Sequence, residues 1–110
     1  MIDSDYVSPD GELRFIVRLK DGDVTMGFDG YPWHTHGDIL AAPAGSSAEA
    51  RAEQFVDALL SNRSIIAVLK EQNAIKDIWI TDDPAQDKQH LGEGELVEFR
   101  VWGGSISGVF

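Results

Sequence analysis

Two short runs of alternating apolar and polar positions stand near the start of the chain. Leu13, Phe15, Val17 and Leu19 take every second place, with Arg14, Ile16, Arg18 and Lys20 between them. Val24, Met26 and Phe28 repeat the pattern against Thr25, Gly27 and Asp29. A period of two buries one face of a strand and leaves the other to solvent. Asp21-Gly22, which separates the runs, tolerates positive φ, so the pattern predicts a tight hairpin. Residues 1–10 read as a loosely ordered lead-in that closes with the turn signal Ser8-Pro9-Asp10-Gly11.

The period then changes to that of a helix. Ala48, Ala52, Phe55, Val56 and Leu59 build one apolar stripe. Ser46 and Glu49 have the spacing of a capping box, which starts the helix at Ser46 or Ser47, and Asn62 is a suitable terminator. Ile65 to Leu69 is an unbroken apolar run of strand length, expected at the centre of a sheet and buried on both faces. Glu71-Gln72-Asn73 turns the chain into Ile75 and Ile78-Trp79-Ile80, and Pro84 stops that strand. Residues 82–94 read as a polar loop. Val97, Phe99 and Val101 alternate with Glu98, Arg100 and Trp102, Gly103-Gly104 turns back, and residues 105–110 read as a last short edge strand.

The elements therefore run β-β-loop-α-β-β-β-β. Short turns join the strand pairs, which requires antiparallel pairing. The expected fold class is α+β, a single domain over residues 1–110. It contains one antiparallel sheet of five to six strands with one amphipathic helix packed on one face. The opposite face must then meet solvent or another molecule.

Composition adds limits on function. The chain has 19 acidic and 9 basic residues, a net charge of −10. Such a chain repels phosphate backbones, which argues against nucleic-acid binding, and a basic protein would be steered toward it. The acids are spread along the chain, so charge alone marks no face. With no cysteine, disulfides and thiolate sites are excluded. No signal-peptide pattern opens the chain and no apolar run has the length of a membrane span, so a cytoplasmic protein without membrane contact is expected.

The densest group of chemically capable side chains lies in the long connection before the helix, Tyr31-Pro32-Trp33-His34-Thr35-His36-Gly37-Asp38. In an extended piece His34 and His36 point the same way. They could hold a metal with Asp38 as a third ligand, as in the histidine-x-histidine segment that opens amidohydrolase metal sites. Those enzymes are barrels more than twice this length, and His90 is the one further imidazole. Two other readings compete: Tyr31 and Trp33 pack over one end of the sheet, or the loop is a recognition element, for which tyrosine and tryptophan are typical. No nucleophile elbow, phosphate loop or dinucleotide fingerprint is present. No cofactor is implied.

The stretch Gly27-Phe28-Asp29-Gly30-Tyr31, followed by His34-Thr35-His36 and the helix ending Phe55-Val56-Asp57-Ala58-Leu59-Leu60, resembles small acidic bacterial proteins with a G-F-D-G-x-H-T-H-F phrase ahead of an acidic helix. Some of these look like immunity proteins of polymorphic toxin systems. The resemblance spans residues 12–80, with Pro32-Trp33 inserted and Gly37 in place of an aromatic. It implies a non-catalytic protein that binds and neutralises a basic toxin. Tyr31, Trp33 and Trp79 are then the candidate aromatic anchors and His34, His36 and Asp38 their neighbours. Glu49, Glu53 and Asp57 form a candidate acidic rim on the helix. The alternatives are a metal-binding protein or metal-dependent hydrolase centred on His34, His36 and Asp38, and a structural homodimer joined through the uncovered sheet face.

Overall fold

The structure, a computed structural model, describes residues 3–20, 23–36 and 47–105. Along these the order is β1 (Ser4–Val7), β2 (Arg14–Lys20), β3 (Asp23–Phe28), β4 (His34–His36), α1 (Ala48–Leu60), β5 (Ile65–Glu71), β6 (Ala74–Thr81), α2 (Pro84–Gln89), β7 (Glu95–Val101) and β8 (Gly104–Ser105). The class is α+β and all pairing is antiparallel, as the turn lengths require.

The expected single sheet is two. The first runs β1-β2-β3-β4; the second runs β6-β5-β7 with the two-residue β8 at its edge. The connection through α1 separates the two groups of strands, and periodicity along each strand is blind to that break. The residues expected as a loose lead-in supply β1, which pairs with β2 from Ser4↔Val17 to Val7↔Arg14. Asp5 holds it there, accepting from Arg14 at 2.5 Å and Arg18 at 2.7 Å. Both guanidiniums push the Asp5 carboxyl below its ordinary range.

One core joins the sheets. Phe15, Val17, Val24, Met26 and Phe28 of the first sheet meet Ala52, Val56 and Leu59 of α1 and Ile66, Val68 and Ile78 of the second. Phe15 packs edge-on to Phe28 at 5.1 Å between ring centres and stacks on Phe55 of α1 at 6.3 Å. The stripe on α1 is thus its core side, and burying residues such as Leu59 contributes ~1.5–3 kcal/mol each.

The helix ends follow local chemistry. The cap is Ser47, whose Oγ accepts from the Ala50 amide at 3.1 Å; Ser46 lies outside the described residues. At the other end Asn62 takes φ 65°, and the amides of Asn62 and Arg63 reach back to the carbonyls of Leu59 and Ala58. This is the Schellman arrangement for a left-handed residue after a helix. Asn62 Oδ1 also accepts from the Gly103 amide at 2.7 Å, tying the helix end to the β7–β8 turn.

In the second sheet β5 is central and buried at Ile66, Ala67 and Val68. Gln72 and Asn73, both at positive φ, form the two-residue turn to β6, the mirror-image type that matches strand twist. Two expectations fail here. Residues 82–94 contain α2, because Asp83 caps its first turn through Gln86 N at 3.1 Å and Pro84 fits the first helical position. Trp102, placed with Glu98 and Arg100 on the polar side, is in the core at 5% exposure. Arg100 lies opposite Ile66 and Glu98 opposite Val68, so this phase of β7 is the core side of the second sheet, and Trp102 continues it. The Asp21-Gly22 turn and residues 106–110 of the expected edge strand lie outside the described residues.

Candidate functional site

Alternation assigns the two faces of the first sheet. Phe15↔Phe28, Val17↔Met26 and Met26↔Thr35 share the inner face. Ile16↔Gly27, Arg18↔Thr25, Gly27↔His34 and Thr25↔His36 share the outer one. His34 and His36 therefore lie side by side on the outer face, their ring centres 5.3 Å apart, as the extended reading requires. Thr35 between them is buried.

Each histidine has a local partner. His36 Nδ1 lies 3.0 Å from Asp23 Oδ2 and 3.3 Å from Thr25 Oγ1. His34 Nδ1 lies 3.2 Å from the Pro32 carbonyl. Among the described residues no three His, Asp or Glu side chains are grouped to hold a metal, and Asp38 falls outside those residues.

Tyr31 and Trp33 are half-buried and pack against the core. The Trp33 ring sits 6.2 Å from that of Phe28. Its backbone is fixed too: the Trp33 amide donates to Asp77 Oδ1 at 3.2 Å, and the same oxygen accepts from the Ile78 amide at 2.8 Å. One carboxylate oxygen thus joins the β3–β4 loop to β6 in the other sheet.

Beside these aromatics the outer face forms a groove of about 200 Å³, lined by Ile16, Thr25, Gly27, Tyr31, Trp33 and His34 among others. Gly27 makes it possible. A Cβ at that position would lie 2.7 Å from the Trp33 carbonyl oxygen, so only a bare backbone lets β4 approach β3 this closely. Charge on this face is fixed by pairing. Asp5 binds Arg14 and Arg18, and Arg14 also reaches Asp29 at 3.8 Å. Both guanidiniums are held above their ordinary pKa, chiefly by the hydrogen bonds to Asp5.

The other expected residues lie elsewhere. Trp79 pairs with Ala67, on the face of the second sheet away from Ile66, Val68 and Ile78, and its Nε1 donates to Asp87 Oδ2 of α2 at 3.4 Å. Glu49, Glu53 and Asp57 are exposed on α1, with Asp57 accepting from Arg63 at 2.5 Å. The structure brings Tyr31, Trp33, His34 and His36 together and separates them from Trp79 and from the α1 acids. Sequence reasoning passed over Ile16 and Gly27. The signal for Ile16 was present, an aliphatic residue in the polar phase of β2; Gly27 carried none, because its role is set by a neighbour in another strand.

No family model, curated protein or solved structure matches this chain.

Proposed function

We propose that this chain is a non-catalytic binding protein that takes a protein partner on the outer face of its first sheet and acts as an immunity protein toward a basic effector. The observation that carries the reading is the groove beside Gly27, walled by Tyr31 and Trp33. At about 200 Å³ it falls below the ~300–1,000 Å³ of pockets that engulf a small ligand, and it suits one or two side chains of a protein. Its aromatic walls are held by core packing and by Asp77, so little further ordering is lost when a partner docks.

Charge supports a basic partner. Among the described residues Arg14, Arg18, Arg63, Lys70, Lys76 and Arg100 are each in an ion pair with a carboxylate. The excess acid of a chain at −10 then dominates its field and steers a cationic protein toward it.

The test is co-expression with basic toxins encoded beside its gene, read as growth rescue and as a complex by calorimetry. Rescue is expected for the native chain and is expected to fail for Ile16→Glu, which puts a charge into the groove at a half-exposed position. If no such toxin is bound or neutralised, or if folded Ile16→Glu protects as well as the native chain, the reading is wrong.

A further inference from the structure

The face of the second sheet that carries Ile66, Val68 and Ile78 is its core side, and those residues are 0%, 6% and 1% exposed. The apolar pattern continues one row past the core. There Lys70 lies opposite Ile75 of β6 on one side and Leu96 of β7 on the other. Ile75 and Leu96 keep 38% and 54% of their surface exposed. Two large aliphatic side chains thus stand partly exposed on a core-type face beyond the core.

Two hollows meet at this row. One of about 120 Å³ lies between Glu12, Leu13, Val68 and Ile75, with Arg100 in its wall. The other, of about 360 Å³, lies between Gln72, Asn73, Gly94 and Leu96. Lys70 and Glu98 line both, so the hollows form one trough.

The electrostatics of the trough select its occupant. Lys70 is bound to Glu98 at 2.9 Å. Arg100, its side chain 12% exposed, is bound to Asp10 at 2.9 Å and Glu12 at 3.3 Å, and it also donates to the carbonyls of Val101 and Trp102. Three carboxylates meet two cations here, and each cation already has its anion. A further anion would meet excess negative charge, whereas an added cation would meet exposed carboxylates at Glu12 and Glu98.

We propose that this trough docks a segment of a partner protein in which lysine or arginine alternates with aliphatic residues, the aliphatic groups covering Ile75 and Leu96 and the cations meeting Glu98 and Glu12. It is a second surface, separate from the groove beside Gly27, and shares with the function proposed above only the basic character of the partner.

The test titrates the whole isotope-labelled chain with a synthetic Lys-Leu-Lys-Val-Lys-Leu peptide, following backbone amides by NMR. The controls are Glu-Leu-Glu-Val-Glu-Leu and Lys-Gly-Lys-Gly-Lys-Gly. Saturable shifts are expected at Lys70, Ile75, Leu96 and Glu98 with the first peptide alone. Leu96→Ser and Ile75→Ser, both outside the buried core, should each weaken binding at least about fivefold. Glu98→Gln should weaken it and flatten its salt dependence. Equal binding of the glycine control, shifts centred on α1, or unchanged affinity of Leu96→Ser would overturn the proposal. So would a dimer in sedimentation that Leu96→Ser abolishes, since a second copy would then fill the trough. Growth protection lost in Ile16→Glu while peptide binding persists, or the reverse, tells the failure of one surface from that of the other.

Discussion

Gly27→Ala isolates the contact on which the candidate groove depends. Gly27 has an ordinary strand φ, so alanine meets no backbone strain there. The added Cβ would instead stand 2.7 Å from the Trp33 carbonyl oxygen and 3.4 Å from His34 Cβ, and the nearer atom is backbone that no rotamer change can move. Overpacking of this kind costs ~1–3 kcal/mol. Alanine recovers ~0.4–1 kcal/mol by restricting the unfolded chain. A net loss of about 1–2 kcal/mol follows, concentrated on β4, which has three residues to hold it and one buried side chain, Thr35. Gly30→Ala is the matched control. It has nothing within 4 Å of its Cβ but sits at φ +85°, so its penalty is conformational, ~1–2 kcal/mol before the same recovery. Urea unfolding followed by tryptophan fluorescence gives both stabilities, and amide exchange locates the damage. Gly27→Ala should strip protection from Thr35 and from the β3 amides facing it, whereas Gly30→Ala should leave β4 protected. The reasoning fails if Gly27→Ala unfolds within about 0.5 kcal/mol of the native chain with Thr35 still protected, or if Gly30→Ala is the one that frees β4.

Asp77→Ala removes the oxygen shared by the Trp33 and Ile78 amides, and about 1–2 kcal/mol should be lost, with Asp77→Asn recovering most of it through its side-chain carbonyl; urea midpoints of the pair check this. Asp10 predicts an acid limb in stability. The Ser8 hydroxyl, then Arg100 and the Glu12 amide, hold its carboxyl at a pKa of about 2, below the ordinary 3.8. A depressed folded pKa contributes stability that is fully present above the unfolded value and is lost as pH falls from about 3.8 toward about 2. Asp10→Asn should remove that part of the pH dependence, and urea melts between pH 2 and pH 6 that keep the same slope for both chains would count against it.

Much of the fold was legible because local rules decide it. Alternation placed β2, β3 and β7 and named the buried sides of β2 and β3, whereas the core side of β7 is the phase of Glu98, Arg100 and Trp102. The helix was written in its stripe and in Asn62, which ends it in a left-handed turn. Period two put His34 and His36 on one side of an extended segment, and the pairing of β4 with β3 showed that side to be the outer face. Other features were present in the letters but overruled by a stronger expectation. Asp83-Pro84 is a helix start that the polar composition of residues 82–94 concealed, and Asp5 was one acid among 19 until Arg14 and Arg18 were seen beside it.

By itself the sequence determined the strand phases, the capped helix, the antiparallel sense and the acidic field. Each depends on neighbours within a few residues, or on a sum over the whole chain. Only the tertiary structure decided that the strands divide into two sheets, that Trp102 turns inward, and that Asp77 links the sheets. It also decided that Gly27 bares a groove beneath Trp33 and that the row of Lys70, Ile75 and Leu96 runs beyond the core. These depend on contacts between residues far apart in the chain, where the packing of one strand on another sets what is covered and what is left open.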